Sequence, residues 1–287
     1  MADPRLKQAI AAKDFVVAPG VFDLISALMA DRMDAKALYV TGYGTVASYL
    51  GIPDAGIATY RDMLERIAQI CKRTEKPVIA DADTGYGGLL NVRTTVEGYE
   101  AAGVTAIQIE DQEFPKKCGH TPFRRVIPMA DMQRKIEVAA RTRKSDDFLI
   151  IARTDSRTGL GIDEAIRRGQ GYAEAGADVI FIESPESEEE MIAVSDAIKA
   201  PLFANMVNGG RTPLLSADRL SAMGYSIAIH PAIGFLAVTR ALEKAYGDLL
   251  ANGITSDDID LYSFAEMNKL LGFEDVWAFE KEWVETA

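Results

Sequence analysis

The sequence predicts an α/β fold: a (β/α)8 TIM barrel with extra C-terminal helices. Three observations predict it. Short apolar, β-rich runs recur eight times. Each is followed by a segment with helical spacing. Polar and charged residues gather where the runs end.

The runs lie at 15–18, 37–41, 77–83, 106–111, 149–155, 178–183, 201–206 and 226–230. They are continuously apolar and do not alternate, as expected of parallel strands covered on both faces. Between them, the segment from Thr59 has apolar residues at helical spacing behind a threonine cap. Asn91 opens another such segment, and Gly103 and Gly176 suit left-handed helix ends. No dinucleotide fingerprint follows the first run, and no P-loop is formed at Gly85-Tyr86-Gly87-Gly88, which lacks the following Lys and Ser/Thr. The expected organisation is one barrel domain over 1–287 with a helical extension at 256–287. Phe273, Trp277, Phe279 and Trp283 in that extension form an aromatic face that calls for packing on the barrel or on, or swapped with, a partner subunit.

The chain has 287 residues, of which 48% are hydrophobic, enough for one large core. A net charge of −12 argues against nucleic acid and anionic lipid as partners. No membrane-length apolar run and no leader-like start are seen, and Cys71 and Cys118 are not expected to pair, so a cytoplasmic setting is expected.

In a barrel, chemistry sits at the C-terminal strand ends. Those ends read Thr41-Gly42-Tyr43-Gly44, Asp81-Ala82-Asp83, Glu110-Asp111-Gln112, Arg153-Thr154-Asp155, Glu183-Ser184, Asn205 and His230. So many acids around one cavity repel one another unless a cation joins them. Oxygen ligands favour a hard ion, Mg²⁺ or Mn²⁺. Asp54, Asp81, Asp83 and Glu110 are the candidate ligands, with Asp81 and Asp83 expected on one side of their strand. Lys116-Lys117-Cys118-Gly119-His120 lies in a long segment after the fourth run, where a positive field would make the cysteine a usable proton donor. Arg153 offers a planar fork for a carboxylate. The turn Asn208-Gly209-Gly210-Arg211 offers backbone N–H groups and a cation for a second carboxylate.

Together with Ala80–Gly87, Ile109–Gln112, Ala152–Asp155 and Asn205–Pro213, the cysteine motif resembles the isocitrate lyase / phosphoenolpyruvate mutase superfamily. The motifs fall in that superfamily's order, and the cysteine motif marks its lyase branch. The resemblance implies a barrel with C-terminal helices packed on a partner, usually in a homotetramer, and Mg²⁺ near the four acids. It implies substrate contacts from Thr41, Gly42, Tyr43, Gly44, Arg153, Glu183 and Asn205. Catalytic duties would fall to Cys118, Lys116, Lys117, His120, Arg153 and Glu110. The expected reaction is carbon–carbon cleavage of a 2-hydroxy dicarboxylate to pyruvate or a related 2-oxo acid plus a carboxylate. Tyr43, Lys117 and the Gly-Gly-x-Thr-Pro turn resemble 2,3-dimethylmalate and 2-alkylmalate lyases and oxaloacetate hydrolases more than methylisocitrate lyases. Methylisocitrate cleavage, oxaloacetate hydrolysis or decarboxylation, a carbon–phosphorus mutase and a non-catalytic dicarboxylate-binding barrel are the alternatives.

Overall fold

The computed structural model describes residues 2–119 and 124–283. Eight parallel strands close on themselves in sequence order. They are β1 (Val16–Val21), β2 (Leu38–Val40), β3 (Val78–Asp81), β4 (Ala106–Glu110), β5 (Leu149–Thr154), β6 (Val179–Ile182), β7 (Leu202–Asn205) and β8 (Tyr225–His230). Ring closure comes from β1 against β8, where Val16 faces Ile227 and Pro19 faces His230. The predicted barrel is therefore the fold. Strand one runs further than expected, through Pro19, and strand three stops earlier, at Asp81.

The helices begin and end for local reasons. The helix Tyr60–Arg73 starts at Thr59, whose side chain accepts from Asp62 N–H while Asp62 accepts in return from the Thr59 backbone. Gly103 and Gly176 follow helices with φ of +96° and +106°, values that cost a residue with a Cβ.

Alternation along the strands builds two cores. One face packs on the helices through residues such as Ile107, Ile109, Ile150 and Ile180. The other fills the barrel with Ala18, Tyr39, Ile79, Leu149, Ile151, Phe181, Phe203 and Ile229. Leu6, on the helix Arg5–Ala11, packs with this interior set. Phe203 lies between Tyr39 and Phe181, with ring centroids 6.1 and 5.0 Å away. This inward parity positions the site. Continuing it upward passes from Ile79 to Asp81, from Ala106 to Gln108 and Glu110, from Ile151 to Arg153, from Phe181 to Glu183 and from Phe203 to Asn205.

The chain divides into two compact units, 1–235 and 236–287. The second contains most of the helix Ile233–Asn252 and the helices Phe264–Leu270 and Phe273–Trp283. Phe273, Trp277, Phe279 and Trp283 are exposed on it. Among the described residues no helix is long and apolar enough to cross a membrane.

Phe203→Ala empties the middle of the barrel interior and is expected to destabilise the fold by about 3–5 kcal/mol. Urea unfolding of variant and parent would measure it. A loss well below ~1 kcal/mol would mean that the interior repacks around the gap.

Candidate active site

Polar residues carried up by the inward parity form a buried cluster at the C-terminal end of the barrel. Asp54, Asp81, Asp83, Glu110, Asp155 and Glu183 are all buried, as are the cations Lys116 and Arg153. Arg124 joins them, its guanidinium paired with Asp155. The six acids outnumber these three cations.

Lys116 comes in from the segment after β4. Its Nζ lies 2.5 Å from Asp54 Oδ1 and 2.7 Å from Asp83 Oδ1. Asp81 is held differently. Tyr39 OH donates to Gln108 Oε1 at 3.0 Å, and Gln108 Nε2 donates to Asp81 Oδ1 at 3.3 Å. Asp83 N–H donates to the same oxygen at 3.0 Å. Since β3 ends at Asp81, strand alternation does not set the direction of Asp83. A left-handed backbone, φ +49°, turns it toward Lys116.

Arg153 is gripped on one edge by Asp155, with Nε to Oδ2 and Nη2 to Oδ1 both at 2.9 Å. Its Nη1 lies 3.3 Å from Glu110 Oε2, and its Nη2 lies 3.4 Å from Glu183 Oε2. Below it the guanidinium sits 5.2 Å from the Phe181 ring centre. Burial opposes the charge on Arg153, but Asp155, Glu110 and Glu183 outweigh it, and the group stays charged. Asn205 Nδ2 donates to Glu183 Oε2 at 3.0 Å.

Burial dominates the acids. It pushes the Asp83 carboxyl up to about 7 against the pull of Lys116. It raises Glu110 well above the ordinary range against the pull of Arg153. Glu110 Oε1 is buried with no hydrogen-bond partner among the described residues. This orphaned oxygen, the surplus of acids and the all-oxygen donor set fit a hard divalent cation. Among the described residues no three His, Cys, Asp or Glu are already gathered to hold a metal. Lys116 stands between two of the candidate ligands.

Thr41 precedes the helix Gly42–Leu50, so Gly42, Tyr43 and Gly44 form its first turn. Their N–H groups have no acceptor within the helix and carry the positive end of its dipole. Gly42 is required by space: a Cβ would lie 2.6 Å from Asp81 Oδ2. Tyr43 stacks on Phe235, with centroids 5.2 Å apart.

The cysteine segment packs onto this cluster. A methyl group on Gly119 would run into Arg153 Nη2 and the Glu183 carboxyl. Gly119 O accepts from Ser184 Oγ at 3.3 Å. Cys118 is half-buried, Lys117 is exposed, and His120 lies outside the described residues. The predicted second carboxylate turn is not drawn into this cluster by its contacts. Asn208, Gly209 and Arg211 are exposed, the Gly210 N–H donates to Val207 O, and Arg211 pairs with Glu186 at 3.4 Å.

Four members of the cluster were not singled out as site residues from the sequence: Tyr39, Gln108, Arg124 and Asp155. A signal existed for two of them. Gln108 is a lone amide inside an apolar strand two residues before Glu110, and Asp155 stands two residues after Arg153. The first spacing puts its pair on one face of β4, while Asp155, one residue past the end of β5, signals only as an acid close to the arginine.

Asp83 also yields a pH signature. Its unfolded pKa is near 3.8 and its folded value is about 7. Stability from keeping this proton is present below about pH 4 and disappears as the pH rises through about 7. In metal-free protein, the Tm of the parent minus that of Asp83→Asn should fall across this window in a thermal-shift series. A difference independent of pH would show that Asp83 is not held protonated.

Comparison with known proteins places this geometry in a family. The phosphoenolpyruvate phosphomutase family model matches residues 6–250. The chain is 45% identical over 280 residues to 2,3-dimethylmalate lyase of Eubacterium barkeri, covering 97% of each chain. Oxaloacetate acetylhydrolase, solved with the inhibitor 3,3-difluorooxalacetate, superposes with a TM-score of 0.92 at 33% identity, covering 99% of this chain and 97% of that one. Phosphonopyruvate hydrolase, solved with oxalate and Mg²⁺, superposes with a TM-score of 0.89 at 30% identity, covering 99% of this chain and all of the other. The chain belongs to the phosphoenolpyruvate mutase/isocitrate lyase superfamily of enzymes, among its lyases.

Proposed function

We propose that this chain is a Mg²⁺-dependent carbon–carbon lyase (Mn²⁺ being the alternative ion). Its substrate would be a 2-hydroxy dicarboxylate of the 2,3-dimethylmalate or 2-alkylmalate type, cleaved to pyruvate or a related 2-oxo acid and a carboxylate. The observation that carries the reading is the convergence of a buried arginine fork, an acid-rich oxygen cage and a cysteine-bearing segment at one barrel mouth. The similarity to 2,3-dimethylmalate lyase over nearly the whole chain supports the substrate type.

Asp54, Asp81, Asp83 and Glu110 would hold the ion, and when bound it lowers the pKa of the substrate's C2 hydroxyl. The C1 carboxylate is met by Arg153 and by the first-turn N–H groups of Gly42, Tyr43 and Gly44. Thr41, Glu183 and Asn205 would add contacts to the substrate, while Asn208, Gly209, Gly210 and Arg211 would take the distal carboxylate on substrate binding. Glu110, 3.3 Å from Arg153 Nη1 and ionised when the cation is held, would accept the C2 hydroxyl proton. The C2 oxygen becomes a carbonyl, the C2–C3 bond breaks, and its electron pair passes to C3 as an enolate of the departing carboxylate. Lys116, Lys117 and His120 offset that charge, and Cys118 protonates C3. The exposed aromatic face of the second unit supports packing on another copy, in a homotetramer, and a chain with only two cysteines suits a cytoplasmic enzyme.

Pyruvate release coupled to lactate dehydrogenase, with and without Mg²⁺, tests the reading on 2,3-dimethylmalate, 2-methylmalate and 2-methylisocitrate. Oxalate release from oxaloacetate serves as the hydrolase control. Mg²⁺-dependent turnover of an alkylmalate is expected, and turnover of oxaloacetate alone would replace the lyase by a hydrolase. Cys118→Ser should lower kcat by ~10²-fold or more with substrate binding retained. Asp83→Ala should lose Mg²⁺ binding, by calorimetry, together with activity. Near-normal turnover in either variant would remove that residue from the mechanism.

A further inference from the structure

The segment carrying Cys118 faces a problem of register. Two lysines stand in a row, and either ammonium could sit between Asp54 and Asp83. Charge alone therefore does not decide whether Lys116 or Lys117 enters the cage. A slip of one residue would move Cys118 off its place beside the cluster.

Gln112, 2% exposed and two residues past the end of β4, answers this problem. Its Nε2 donates to Lys117 O at 2.7 Å, and its Oε1 accepts from Lys117 N–H at 3.0 Å. The side-chain amide thus pairs with both backbone polar groups of one residue, as a neighbouring strand would. No other side chain of this reach offers a donor and an acceptor side by side without charge. Burial follows the pinned register: Lys116 is in, Lys117 is out, Cys118 is half in. The backbone of Gln112 bridges antiparallel to Val126, so the clamp is itself seated at the neck of the segment. At the far end Gly119 fits where a side chain would collide with Arg153, but that contact lies beyond the two lysines.

We propose that Gln112 is a positioning residue that fixes the register of Lys116–Gly119 and so sets where Cys118 stands relative to the cluster. Its bearing on catalysis rests on the lyase reading, whereas its bearing on register does not.

The test is amine labelling of the full-length protein by reductive methylation, resolved residue by residue by peptide mass spectrometry. In the parent, Lys116 is protected and Lys117 is modified. In Gln112→Met, which keeps the length of the side chain and loses both hydrogen bonds, protection should be shared between the two lysines. Gln112→Glu keeps the acceptor and loses the donor, and should give an intermediate pattern. It also carries the test if the methionine variant fails to fold by circular dichroism. Alkylation of Cys118 by iodoacetamide should change in parallel, while Cys71, its thiol pushed up to about 12 by burial, stays slow as an internal control. With the best alkylmalate, kcat should fall by roughly 10²-fold with KM little changed, as expected for a misplaced proton donor. Unchanged protection of Lys116 in folded variants would overturn the proposal. A shifted labelling pattern with full turnover would uphold the register role of Gln112 and overturn the role given to Cys118.

Discussion

The burial of several carboxylates at one end of the barrel is the constraint on which the rest depends. A buried anion without compensation is costly, and here the acids outnumber the nearby cations. The structure responds in three ways. Lys116 is drawn in between Asp54 and Asp83. Arg153 is ringed by Asp155, Glu110 and Glu183. Asp83 and Glu110 are pushed toward keeping their protons. Each response draws another element inward, so the electrostatics of the cluster and the placement of the cysteine segment are one problem.

The barrel makes such a concentration possible. Its interior is apolar below, filled by Phe181, Phe203 and Ile151. The same strand faces turn polar over one or two residues at the top. Closure in sequence order leaves no strand edge unpaired. The helix Gly42–Leu50 adds its N-terminus beside Asp81, supplying N–H donors that need no side chain.

The barrel was readable in the sequence because the strands are largely continuous apolar runs and several helices carry their own caps, as at Thr59 and Gly103. The strand-end acids and Arg153 were readable because one strand face carries them in register with the core. What alternation could not give was anything beyond a strand end. Asp83 is aimed by a left-handed backbone, not by pleat parity. The role of Gln112 depends on a loop folding back five residues later, and Arg124 meets Asp155 across 31 residues of sequence. The turn at Asn208–Arg211 had the right composition for an anion cradle, but composition does not say where a turn directs its N–H groups.

Asp155 accepts from Arg153 through two nitrogens and from Arg124 through a third. One carboxylate thereby joins Arg153, on its strand, to the far stem of the cysteine-bearing segment. The two arginines share its Oδ1 atom, so the geometry of each is written partly by the other. A change at Arg153 would thus be felt also at the stem of the cysteine-bearing segment, and an arrangement of this design would change more readily by paired substitutions on the two sides of a single shared anion.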